Sequence, residues 1–138
     1  MGTLEYKKTK LAQALLSLKY ALEDFNHLVD PDERQYRTYR DSLIQRFEYS
    51  VDLFWKYLAK YLTETLAAPE ANGPAPTIRA ICAAGFLSDD EGELALEMIK
   101  ARNKTSHMYV EELAEQLSRQ IPAFHILMNE VINRLPLK

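Results

Sequence analysis

Apolar residues in this chain fall at helical spacing almost from end to end. Leu4, Leu11, Leu15, Leu18, Leu22 and Phe25 recur at steps of seven, four, three, four and three. On a helix of about 3.6 residues per turn these positions form one stripe. Asp30-Pro31-Asp32 then reads as a stop and a restart, because Pro begins helices well and cannot continue them. A second helix is predicted from about Glu33 to about Leu66. Leu43, Phe47, Phe54, Leu58 and Tyr61 form its stripe, and Ile44, Val51, Trp55 and Leu62 widen it enough to meet two neighbours. The aromatic rings in this segment are expected to be core.

Pro, Gly and Asn cluster without periodicity only in Ala68–Pro76, which reads as a linker. Thr77 is expected to cap a short helix reaching about Ala84, with Gly85 ending it in a left-handed conformation. Ser88-Asp89-Asp90-Glu91 has the pattern of a capping box and opens a fourth helix with Leu94, Met98 and Ala101 inward. A last helix is expected over about Glu111 to Leu135, with Leu113, Leu117, Ile121, Phe124, Met128, Val131 and Leu135 inward and a bend at Pro122. No segment alternates strictly between apolar and polar residues. The prediction is all-α: four main helices and one short one in an up-down bundle.

Length and charge narrow the options. The chain has 138 residues, with 17 Lys and Arg against 20 Asp and Glu. That length suits one domain, 1–138, able to bury a core without disulfides or metals. One cysteine, Cys82, excludes an internal disulfide and a Cys-based zinc site and fits a reducing cytosol. The longest apolar run, Ala80 to Leu87, is far short of the roughly 20 residues that span a bilayer, and the N-terminus has no apolar signal core. A cytoplasmic protein with no membrane partner is therefore expected. The net charge of −3 gives no bulk attraction to nucleic acid, so any such role needs a local basic site.

Most chemical signatures are missing. There is no phosphate-cradling Gly-rich loop, no G-x-S-x-G and no H-E-x-x-H, and neither a cofactor nor a metal is expected. His27 falls at a predicted helix end, where a cation suits the dipole, and His125 reads as a surface or boundary residue. His107 stands apart because Lys100–Tyr109 gathers Arg102, Asn103, Lys104, Ser106, His107 and Tyr109. Arginine offers a fixed charge and a fork for phosphate oxygens. Histidine exchanges protons near neutrality. Such a pair can cleave RNA without metal, although a polar helix end also explains the composition. At about 100° per residue, Arg102 and Tyr109 lie about 20° apart, whereas His107 is rotated about 140° from Arg102. Either the helix bends or ends between them, or two chains pool their residues.

Arg102, four intervening residues, His107, one residue and Tyr109 form R-x4-H-x-Y. The pattern resembles the signature of the HEPN superfamily, most closely the nucleotidyltransferase substrate-binding branch, viewed as toxins paired with minimal nucleotidyltransferase antitoxins. Asp41–Tyr49 with Leu53-Phe54-Trp55-Lys56 resembles the family's second helix, and Pro76–Leu87 its short third helix. The resemblance spans about Leu4 to Leu135. It implies a homodimer formed through the motif region and a metal-independent endoribonuclease acting on RNA through Arg102 and His107, with Asn103 as polar neighbour. It also implies a cognate nucleotidyltransferase partner that silences the nuclease by adding AMP to Tyr109.

Two other readings stay open: a non-catalytic subunit that binds a nucleotide or substrate for the nucleotidyltransferase, and a helical adaptor. Basic residues elsewhere, Lys7, Lys8 and Lys10 and the row Arg34, Arg37 and Arg40, are expected either to guide RNA phosphates or to lie on solvated faces. Asp24, Glu48 and Asp52 are expected at most to pair with such cations.

Overall fold

The computed structural model describes residues 3–107 and 111–136, with side chains as far as residue 104 in the first span. Five helices follow one another: α1 (Thr3–Asn26), α2 (Glu33–Thr65), α3 (Pro74–Ala83), α4 (Asp89–His107) and α5 (Glu111–Arg134). No strand occurs among the described residues, and the all-α prediction holds.

Each boundary has a local cause. Asp32 caps α2, its carboxylate accepting the Gln35 N–H at 2.7 Å. Asp30 takes a φ of +45° in the preceding turn, a conformation Asp tolerates better than most residues. Ser88 and Glu91 form the reciprocal box at the head of α4: Ser88 N–H donates to Glu91 Oε1 at 2.9 Å, and Glu91 N–H to Ser88 Oγ at 3.1 Å. Gly85 ends the α3 region at φ +89°, as expected. The start of α3 differs from the prediction. It begins at Pro74, capped by Gly73 rather than Thr77, because prolines fit a first turn whose N–H groups have no helical acceptor. Thr77 lies inside the helix, buried, and donates its hydroxyl to Gly73 O at 2.7 Å. Helix α5 runs unbroken through Pro122, which is exposed.

Cross-links fix the directions. Ser50 Oγ donates to Ala14 O, and Arg46 Nε to Ser17 Oγ, so α1 and α2 are antiparallel. Phe47 stacks on Phe124 at 5.7 Å, and Tyr61 donates to Pro136 O at 2.9 Å, so α2 and α5 run the same way. Arg134, ending α5, grips Glu91, opening α4, so these two are antiparallel. The up-down order follows, and α2 touches all four other helices.

The core is one cluster to which every helix contributes. Leu11, Leu18, Leu43, Phe47, Phe54, Leu58, Ile81, Met98, Ile121 and Val131 are sealed within it. The expected α1 stripe is buried apart from half-buried Phe25. Five other residues of the expected apolar stripes, Ile44, Trp55, Leu94, Ala101 and Leu113, are only partly covered. Tyr57 is fully buried, and desolvation pushes its phenol up to about 12.

Candidate functional site

Helix α4 carries Arg102 near its C-terminal end, facing α2. Glu48 and Asp52 sit four residues apart on α2, one turn of one face. The guanidinium meets Asp52 in a fork, Nε to Oδ1 at 3.1 Å and Nη2 to Oδ2 at 3.0 Å. Its Nη1 lies 3.4 Å from Glu48 Oε2. The Arg102 side chain is 22% exposed, so it is partly desolvated yet reachable from solvent. The hydrogen bond to Asp52 raises its pKa above the ordinary value, and burial opposes this. Arg102 is a permanent cation in a carboxylate cradle. From the sequence alone, Glu48 and Asp52 could be offered only to basic residues in general. Their spacing is visible there, but not the partner about 50 residues away.

A second ionic cluster lies on the other side of the motif segment. Arg40 of α2 is 1% exposed. Its Nη1 donates to Glu111 Oε2 at 2.7 Å and Glu115 Oε1 at 3.2 Å, and its Nη2 to Glu111 Oε1 at 3.1 Å and Asp41 Oδ1 at 3.3 Å. Tyr36 adds a hydrogen bond to Glu115 at 2.8 Å. Arg40 holds the Glu111 carboxyl below the usual range. Both expectations for Arg40 are overturned: it is neither a phosphate guide nor on a solvated face. It is in phase with Leu43 and Phe47, so helix geometry turns it inward, where α5 supplies two carboxylates. Its neighbour Arg37 is exposed and pairs with Glu33 at 2.6 Å and Glu111 at 3.5 Å.

The segment from Arg102 to Glu111 is therefore tied to α2 at both ends, by Asp52 and Glu48 at one and by Arg40 at the other. Along α2 these anchors span 12 residues, about 18 Å. Asn103 is exposed beside Arg102. His107 is the last residue of α4, and the helix is continuous from Asp89 to that point. The His107 side chain and all of Tyr109 lie outside the described residues.

The other two histidines each meet a backbone carbonyl. His27 is exposed at the end of α1, with Nδ1 2.6 Å from Glu23 O. His125 is half-buried, with Nε2 3.2 Å from Leu15 O, and burial lowers its pKa. Among the described residues no group of three or more His, Cys, Asp or Glu is placed to hold a metal ion. No helix among them is long and apolar enough to cross a membrane.

The family model described as nucleotidyltransferase substrate binding protein like matches residues 7–136. A protein from Thermus thermophilus, known from its crystal structure, has 38% sequence identity to this chain and superposes with a TM-score of 0.79. The match covers 92% of this chain and 99% of that one. No curated protein matches.

Proposed function

Because this chain belongs to the nucleotidyltransferase substrate binding protein-like family, which is HEPN-related, we propose that it is a metal-independent endoribonuclease of toxin type. Its site would be composite, with Arg102 and His107 contributed across a homodimer interface. A cognate nucleotidyltransferase would neutralise it by adenylylating Tyr109.

The observation that carries this reading is the continuity of α4. An unbroken helix keeps positions 102 and 107 about 140° apart around its axis. One chain with a bend or an end between them is thereby disfavoured, and pooling between two copies is the arrangement that serves one phosphate. Arg102 supports it further: a half-buried, permanently charged group sits at the edge of the motif segment, already oriented by Asp52.

In the proposed reaction the 2′-oxygen of RNA attacks the adjacent phosphorus and the 5′-oxygen leaves, giving a cyclic phosphate and a 5′-hydroxyl. The His107 imidazole takes the 2′-hydroxyl proton or supplies one to the 5′-oxygen. The Arg102 guanidinium stabilises the charge on the phosphorane, and Asn103 offers a polar contact beside it. In the silencing step the Tyr109 oxygen attacks the α-phosphorus of ATP, pyrophosphate leaves, and the phenolic proton passes to solvent. The adenylyl group brings bulk and negative charge to the motif, where it competes with RNA for Arg102.

Purified protein in chelator is expected to cleave RNA, and Arg102→Ala or His107→Ala to reduce cleavage by about 10³-fold or more. Cleavage persisting in both variants would place the chemistry elsewhere. Co-expression with the nucleotidyltransferase is expected to add AMP mass to the Tyr109 peptide, and a Tyr109→Phe protein modified to the same extent would reject that residue.

A second reading is a non-catalytic subunit that binds a nucleotide or other substrate for the nucleotidyltransferase. The family's description favours it, as does the pair of carboxylates around Arg102, which opposes an incoming phosphate. Nucleotide binding with no RNA cleavage at any enzyme concentration would select it.

A further inference from the structure

Beyond the Arg102 cradle, the α2 face changes sign. Asp52, Lys56 and Lys60 recur at four-residue steps, about 6 Å per step along the helix. Lys56 and Lys60 line a groove of about 670 Å³ between α1, α2 and the segment leading into α3. Lys7 joins them from α1, and Trp55 forms part of the wall. This is the chain's single tryptophan, and it is only partly covered although it falls within the apolar pattern of α2. The Lys56 ammonium lies 5.9 Å from the centre of the indole, so ring and cation are presented together. Glu70 is the acid in the lining, and Lys60 also pairs with Glu64 at 3.0 Å. Three lysines against Glu70 and the Glu64 that pairs with Lys60 leave the groove with a small excess of positive charge on a chain whose net charge is −3.

We infer that this groove seats a nucleotide of the single RNA strand flanking the phosphate at Arg102, with its base on Trp55 and its phosphates met by Lys7, Lys56 and Lys60. The inference rests on the nuclease reading above and adds the path of the substrate. A volume of this size suits one small ligand-sized unit. Cations that track a backbone beside an aromatic platform are what single-strand binding requires. Continuity along α2 joins the groove to the cleavage site: Asp52, which orients Arg102, is one helical turn from Lys56.

Because Trp55 is the sole tryptophan, its fluorescence reports the groove directly. The experiment uses the full chain carrying His107→Ala, so that RNA survives, titrated with a single-stranded oligouridylate, with ATP, with inorganic phosphate and with an acidic peptide. The RNA is expected to change the emission saturably and to bind at least tenfold more tightly than the other three. Anisotropy of labelled RNA is expected to show at least a tenfold loss with Lys7→Ala, Lys56→Ala and Lys60→Ala combined. The dependence of log affinity on log salt is expected to flatten by about 0.7 per lysine removed. A variant with unchanged thermal unfolding and unchanged RNA affinity would overturn the inference. So would ATP or the acidic peptide binding as tightly as RNA. RNA held in the groove by a wild-type chain that never cleaves would support the groove and remove the nuclease reading. Wild-type cleavage unaffected by the three lysine changes would do the reverse.

Discussion

A guanidinium withdrawn from water must be met by negative charge on several sides, and Arg40 has Asp41, Glu111 and Glu115 around it. Arg40→Met keeps most of the apolar stem but leaves Glu111 and Glu115 facing each other without their cation. Both carboxylates reach solvent, so no buried charge is stranded, and the expected result is a modest fall in stability. Urea unfolding checks this, and an unchanged midpoint would show that the cluster is not what holds the head of α5. Arg40 also marks a limit of local reading. Grouped with Arg34 and Arg37 it reads as a basic row, whereas counted with Leu43 and Phe47 it continues the buried stripe. The second count was available in the sequence. What was not available was the presence of Glu111 and Glu115, about 70 residues away, that makes its burial tolerable. Arg102 presents the same contrast. Its place in R-x4-H-x-Y was legible, but its dependence on Glu48 and Asp52 arises only when α4 is laid on α2.

Helix ends were more legible than helix contacts, because caps are local. Ser88 and Glu91 meet as their spacing demands, and tertiary structure adds a third partner, Arg134, at 2.8 Å from both Glu91 oxygens. The Arg134 guanidinium, then the Ser88 N–H, hold the Glu91 carboxyl well below its ordinary value of 4.5, at about 2. The unfolded chain therefore takes up the proton first. This contact contributes stability above pH 4.5 and loses it as the pH falls from 4.5 through about 2. Glu91→Gln is expected to be less stable than wild type at neutral pH by about 1 kcal/mol, the pair being partly exposed, with the gap closing toward pH 2. Thermal unfolding across that range measures it, and a gap independent of pH would contradict the assignment. The start of α3 was harder to read, because Pro74 and Pro76 serve a linker or a first turn equally well in composition. Gly73, with φ +100°, is what admits the turn reading.

At the scale of the whole molecule, α2 carries both ionic anchors of the motif segment and the lysines of the groove. From Arg40 to Asp52, α2 anchors both ends of the motif segment, and from Lys56 to Lys60 it lines the basic groove. The apolar period foretold the bundle because core formation dominates its topology. It did not foretell this line of charge, since a polar residue on a helix has no period that distinguishes an ion-paired face from a solvated one. The central proposal, Arg102 and His107 acting from different subunits, is a property of a pair of chains, and complementation tests it most directly. Arg102→Ala and His107→Ala chains are each expected to be inactive as homodimers. A purified heterodimer of the two retains one site with both groups intact. Its RNA cleavage is predicted to recover to about half the wild-type rate, one working site in place of two. A heterodimer as inactive as either parent, beside an active wild type, would contradict the composite site.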